Sequence, residues 1–174
     1  MKLSIRKFRK NDIQSIANAL IEIGWRDRTT TLKEYLSEQT EKERIVLVAS
    51  LDNKFAGYIT ILWRSVYPPF VEKSIPEIKD LNVLPIFRRQ GIASKLLDRA
   101  EELISQRSDI AGIAVGMFSD YGAAQRLYIK RGYIPDGFGL FYHGKHIKMG
   151  QKITIDDDLD LYLTKTLPDK IRNF

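Results

Sequence analysis

Hydrophobic and polar residues alternate along this chain with two different periods, and the changes of period mark out its elements. Residues 2–8, KLSIRKF, alternate one by one and predict a first strand. From Asn11 the period lengthens, and Ile13, Ile16, Ala17, Leu20 and Ile21 fall on one helical face, with Gln14 placed as in a capping box. GWRDR breaks that helix. Thr31 with Glu34 forms a second capping-box pattern, opening a short helix through Leu32, Tyr35 and Leu36. Residues 44–63, RIVLVASLDNKFAGYITILW, read as two apolar strands around an Asp52-Asn53 hairpin turn.

RSVYPPFVEKSIP, at 64–76, reads as a loop bearing prolines and aromatics. EIKDLNVL is a strand that Pro85 stops. After Gly91 the helical period is clear, with Ile92, Leu96, Leu97, Ala100, Leu103 and Ile104 on one stripe. AGIAVGMF predicts a buried strand, and Ser119 or Asp120 caps a helix that ends at Gly132. GYIPDGFGLFYHG and DLDLYLTKTL supply two further strands. This order predicts one α/β domain over residues 1–174, a mixed and largely antiparallel sheet of about 6–7 strands flanked by about four helices.

Composition narrows the function. The 174 residues are 44% hydrophobic and 29% charged, as in an ordinary globular protein. With no cysteine, disulfides, thiolate metal sites and cysteine nucleophiles are excluded. The first twelve residues show no apolar signal core, and no apolar run approaches a membrane span, so a cytoplasmic protein without a membrane partner is expected. A net charge of +6 favours anionic ligands. The basic residues at 2–10 are scattered along a strand instead of forming a tract, which argues against nucleic acid as a partner.

The chemistry concentrates at RRQGIAS, residues 88–94, where arginines and a glycine open a helix. A helix N-terminus carries unpaired N–H groups and partial positive charge, and Gly91 lets an anion approach the backbone with no Cβ in the way. Preceded by a strand, Arg88-Arg89-Gln90-Gly91-Ile92-Ala93 matches the [RQ]-x-x-G-x-[GA] signature of the GNAT superfamily of acyl-CoA-dependent N-acyltransferases. Ala124, Leu127, Tyr128, Gly132 and Tyr133 match its second motif, with Tyr121 where asparagine is usual. From Ile78 to Tyr133 the chain therefore resembles that family, and the resemblance implies a GNAT-like fold.

It also implies that the anion is the pyrophosphate of acetyl-CoA, held by the backbone of Arg89, Gln90, Gly91, Ile92, Ala93 and Ser94. Arg88 and Arg89 would add charge. The backbone of Leu81, Asn82 and Val83 would pair with the pantetheine arm, and Ala124 and Tyr128 would line the cofactor on the second motif.

Acetyl transfer to an amine needs a group to take the amine's proton and one to protonate the departing thiolate. Two acids stand on the strand before the loop. Glu77, eleven residues before Arg88, is preferred as the base; Asp80 and a loop residue remain alternatives, and Glu77 equally suits a cap at the strand's start. Tyr128 occupies the position of the family's thiolate acid, although a core aromatic fits the same pattern. The expected acceptor is a primary amine of a small molecule, peptide or protein, and a homodimer is possible. A non-catalytic CoA- or polyanion-binding module is the rival reading.

No metal is expected. His143 and His146 have no flanking ligands in sequence, DDDLD at 156–160 lacks the glycine and glutamate of a calcium loop, and GLFYHGKH at 139–146 only mimics a P-loop. Trp25, Trp63, Tyr67 and Phe70 would either wall the acceptor side or pack loops onto the core, the second being favoured.

Overall fold

The computed structural model describes residues 2–168. Its contacts divide the chain into two compact units, Met1–Trp63 with Ile78–Leu103, and Arg64–Glu77 with Ile104–Phe174.

The first unit holds strands β1 (Leu3–Lys7), β2 (Arg44–Leu51), β3 (Lys54–Leu62) and nearly all of β4 (Glu77–Val83), in that order across the sheet. β1 pairs antiparallel with β2, and β2 with β3. The β2–β3 turn works because Asp52 and Asn53 both accept left-handed backbone, at φ 47° and 64°, which a tight hairpin demands and which these residues tolerate. β4 lies close against β3 at Gly57, where a Cβ would come within 2.4 Å of the Asn82 carbonyl oxygen.

Helices α1 (Asp12–Glu22), α2 (Thr29–Thr40) and α4 (Ile92–Ile104) belong with these strands. Ile13, Ile16, Ala17 and Leu20 of α1 bury their stripe together with Leu32, Val46, Val48, Tyr58 and Leu84.

Neither expected capping box forms. Asn11 makes no side-chain cap, and Asp12 instead accepts the Arg9 N–H at 2.7 Å while both its oxygens take the Arg6 guanidinium at 2.7 Å. Helix α2 begins two residues before Thr31, with Asp27 accepting the Thr29 N–H at 2.8 Å.

The second unit holds α3 (Pro68–Glu72), β5 (Ile110–Gly116), α5 (Gly122–Lys130), β6 (Ile134–Tyr142), β7 (Lys145–His146) and β8 (Leu159–Thr166). The order is β5-β8-β6-β7, and each neighbouring pair is antiparallel. Aromatics make its core: the Tyr67 ring stacks on Tyr162 at 3.6 Å and meets Phe70 and Phe141 edge-on. Tyr67 and Phe70 are 2% and 1% exposed, so these two pack their loop onto the core and do not wall an open site.

The fold is thus the expected α/β arrangement with largely antiparallel pairing, carrying eight strands and five α-helices among the described residues. The additions are small. Helix α3 lies inside the segment read as loop, because prolines at its first two positions look like breakers but suit a helix start. β7 is two residues long and closes the hairpin at 143–144, with no helix after GLFYHGKH. A single 3-10 turn, Ser119–Tyr121, precedes α5, which starts at Gly122. No helix among the described residues is long and apolar enough to cross a membrane.

Candidate functional site

Downstream of β4 the chain makes a 3-10 turn at Pro85–Phe87, turns again through 88–91, and enters α4 at Ile92. Arg89 and Gly91 both lie in left-handed backbone, at φ 62° and 78°, an alternation that turns successive N–H groups toward one side. Among the described residues, no backbone hydrogen bond is donated by Arg89, Gln90, Gly91, Ile92 or Ala93, while the Lys95 N–H donates to the Gly91 carbonyl at 3.0 Å. A Cβ built on Gly91 would meet no protein atom within 4 Å, so the space beside its backbone is open. The donors, the helix terminus and the bare backbone together fit a phosphate group.

The two arginines behave differently. Arg89 and Gln90 are exposed at the loop, the Gln90 amide reaching the Ile86 carbonyl at 3.3 Å. Arg88 folds back onto β4: its Nε donates to the Val83 carbonyl at 3.2 Å, and its guanidinium lies 5.9 Å over the Trp25 ring. Leu81, Asn82 and Val83 are half-buried on β4, just before the turn, so strand and loop are contiguous.

Asp80 is the hub of a cluster that the chain pattern does not announce. Arg28 grips both its oxygens, each at 2.8 Å. The hydroxyls of Tyr35 and Tyr58 each donate to Oδ2 at 2.9 Å, and the Asn82 amide donates to Oδ1 at 2.7 Å and to the Tyr58 oxygen at 3.2 Å. Burial, then the Asp80 charge, pushes the Tyr35 and Tyr58 hydroxyls well above the ordinary tyrosine range, so both stay neutral donors. Asp80 itself takes left-handed backbone within β4, at φ 55°.

Glu77 belongs to the other unit and is fully buried. Ser65 donates its hydroxyl to Glu77 Oε2 at 2.5 Å and accepts the Tyr67 N–H at 2.9 Å, so the carboxylate fastens the turn leading into α3. Beside this cluster the Tyr67 hydroxyl donates to Asp136 at 2.6 Å.

Tyr128 sits on α5, 5% exposed, its ring 6.1 Å from that of Tyr133. Burial, with Tyr121 nearby, raises its hydroxyl above the ordinary tyrosine range. Ala124, one turn earlier, is half-buried. Tyr121, standing where asparagine was expected, lays its ring against Gly116 so closely that a Cβ there would meet it at 2.5 Å, and its hydroxyl donates to Asp157 at 3.1 Å. The Gln125 amide secures the end of β5 through the Gly116 carbonyl at 2.8 Å.

The fold also brings Asp156 and Asp158 beside His143, which sequence spacing did not suggest. The exposed His143 ring meets Asp158 at 3.1 Å, and Asp156 takes the Tyr142 hydroxyl at 2.9 Å.

Comparison with known proteins decides the family. The profile of the Acetyltransferase (GNAT) family matches residues 11–133, which span both motifs and the Asp80 cluster. The chain belongs to the GNAT acetyltransferase family. An uncharacterized N-acetyltransferase of Archaeoglobus fulgidus is 30% identical over 124 residues, covering 66% of this chain and 82% of that protein. An N-acetyltransferase of Staphylococcus aureus superposes with a TM-score of 0.70 at 17% identity, over 97% of this chain and all of the other. The PaiA N-acetyltransferase of Thermoplasma acidophilum, solved in complex with coenzyme A, superposes at 0.66 with 16% identity, over 95% of this chain and 99% of the other. In this GNAT chain, the sequence singles out the loop, Tyr128 and the β4 acids as candidates. It missed Arg28, Tyr35 and Tyr58, whose only common feature is meeting at Asp80.

Proposed function

We propose that the chain moves the acetyl group of acetyl-CoA to a primary amine of a small molecule or peptide. The observation that carries this reading is the run of N–H groups from Arg89 to Ala93 at the head of α4, donated to no backbone acceptor and left open by Gly91. These groups would hold the pyrophosphate, with Ser94 continuing the first turn and Arg89 adding charge. The edge of β4 at Leu81, Asn82 and Val83 would pair with the pantetheine arm. The PaiA complex with coenzyme A supports the cofactor class.

The amine must lose a proton to attack the thioester carbonyl, and the thiolate that leaves must be stabilised or protonated. Tyr128, buried on α5 in the register of the second motif, is our choice for the group that meets the leaving thiolate, donating to it as charge develops on sulfur. For the base we assign Asp80 over Glu77. Glu77 has no exposed surface and anchors the Ser65 turn, whereas the Asp80 side chain is 16% exposed. One proton passes from the ammonium to Asp80 and on to solvent, the nitrogen lone pair attacks the carbonyl carbon, the adduct collapses with cleavage of the C–S bond, Tyr128 gives its proton to the departing sulfur, and the second proton lost from nitrogen restores the Tyr128 hydroxyl.

The test is an acetyl-transfer screen of amines, amino acids and peptides, following thiol release. Acetyl-CoA-dependent thiol release that requires one class of amine supports the reading. Stabilisation by coenzyme A with no transfer to any amine would favour the non-catalytic binding module instead.

A further inference from the structure

Asp80 is occupied by a cation of the protein's own, and that arrangement describes the ligand it is built for. We propose that Arg28 is an intramolecular placeholder, and that the primary ammonium of the acceptor binds at Asp80 in exchange for its guanidinium. This inference rests on the acetyl-transfer reading and names the acceptor's subsite within it.

Three observations carry it. First, the site is built from four elements: Arg28 closes the α1–α2 loop, Tyr35 lies on α2, Tyr58 on β3, and Asp80 with Asn82 on β4. Its framework without Arg28 is a carboxylate held by three neutral donors, two hydroxyls and one amide. Such a framework carries one uncompensated negative charge in a half-buried place, and burying a charge is costly unless it is paired. The site therefore always requires a cation, and its hydroxyl oxygens can accept N–H bonds from one.

Second, Arg28 can leave without moving the chain. Its backbone is fixed as the residue before α2, its carbonyl accepting the Leu32 N–H at 2.8 Å, while Asp27 secures Thr29. Only the side chain, 30% exposed, has to swing toward solvent. Third, the exchange solves the chemical difficulty at Asp80. Two guanidinium bonds and three neutral donors leave its oxygens little room to take a proton, and departure of Arg28 opens that room as the amine arrives. The selected class is a compact primary ammonium, and a bulky quaternary ammonium, having no N–H, is rejected.

The experiment uses the full chain and its Arg28→Ala variant, with Arg28→Met in reserve because it retains the packing of the stem. Melting is followed with millimolar guanidinium or ethylammonium against sodium at equal ionic strength. The proposal expects either cation to raise the melting temperature of Arg28→Ala by a few degrees, with little effect on the wild type or on Arg28→Ala/Asp80→Asn. Equal response of all three proteins overturns it. For an amine that the wild type acetylates, the KM for the amine should fall about threefold or more in Arg28→Ala, with the KM for acetyl-CoA unchanged. A raised amine KM would show that Arg28 positions the site instead of occupying it. If no amine is acetylated, the acetyl-transfer reading fails, and the melting series still decides whether Asp80 is a cation site.

Discussion

The loop at 88–94 and the Asp80 cluster lie in the same unit, yet they are built in opposite ways. The loop is contiguous in sequence and acts through its backbone: left-handed conformations at Arg89 and Gly91, and the first turn of α4. The cluster draws side chains from positions 28, 35, 58, 80 and 82, and each contributes through one functional group. A backbone site tolerates most side-chain changes but not a Cβ in the wrong place. A side-chain site has the reverse sensitivity. The difference also suits the proposed roles, in which N–H groups would hold an anion common to every reaction cycle and exchangeable side chains would discriminate among amines.

Substitutions can break or sharpen that contrast. The largest effect is expected in the cluster, where Tyr58→Phe removes a buried donor to a carboxylate and should cost about 1.5–3 kcal/mol of stability, read by urea unfolding. A loss within a few tenths would mean that the Asp80 network is not structurally coupled.

Tyr128→Phe asks whether the chemistry also hangs on one side chain. If Tyr128 protonates the thiolate, kcat should fall roughly 10–100-fold, at the low end for an acid because a thiol of pKa about 8.5 leaves readily, with little change in KM for acetyl-CoA. A raised KM with intact kcat would make it a cofactor anchor, and a lower melting temperature with normal kinetics would make it a core residue.

Gly91→Val tests the loop's backbone character. If the proposed anion lies against this backbone, the added branches and the left-handed strain should weaken acetyl-CoA binding tenfold or more, about 1.4 kcal/mol. Gly91→Ala carries most of the same left-handed strain with less bulk, so calorimetry on both variants separates strain from obstruction. Arg89→Ala should do least, roughly a two- to threefold loss of affinity that vanishes at high salt, because an exposed charge is screened. An Arg89 effect exceeding that of Gly91→Val would reverse the contrast.

The same division governs what could be read from the sequence. Asp52-Asn53 announced its hairpin because the turn's backbone demands those residues, and α4 announced itself through Ile92, Leu96, Leu97 and Ala100. Local backbone chemistry is written in neighbouring residues. Thr31 misled as a cap because Asp27 already secures the helix two residues upstream of it. Pro68 and Pro69 concealed α3 because proline ends helices as readily as it begins them. Glu77 and Asp80 were visible as acids on one strand, but their environments differ through Ser65 in one case and Arg28, Tyr35 and Tyr58 in the other. No spacing rule connects those positions, since only the tertiary fold brings them together.

The central claim is that the N–H groups at the head of α4 hold acetyl-CoA. Its most direct test is isothermal calorimetry of acetyl-CoA against the wild type and Gly91→Val, run beside melting curves with acetyl-CoA and with duplex DNA. The account predicts one site per chain, at least tenfold weaker in the variant, and a stabilisation of about 2.7 kcal/mol at a hundredfold excess over Kd. Equal affinity in the two proteins, or stabilisation by DNA with none by acetyl-CoA, would contradict it.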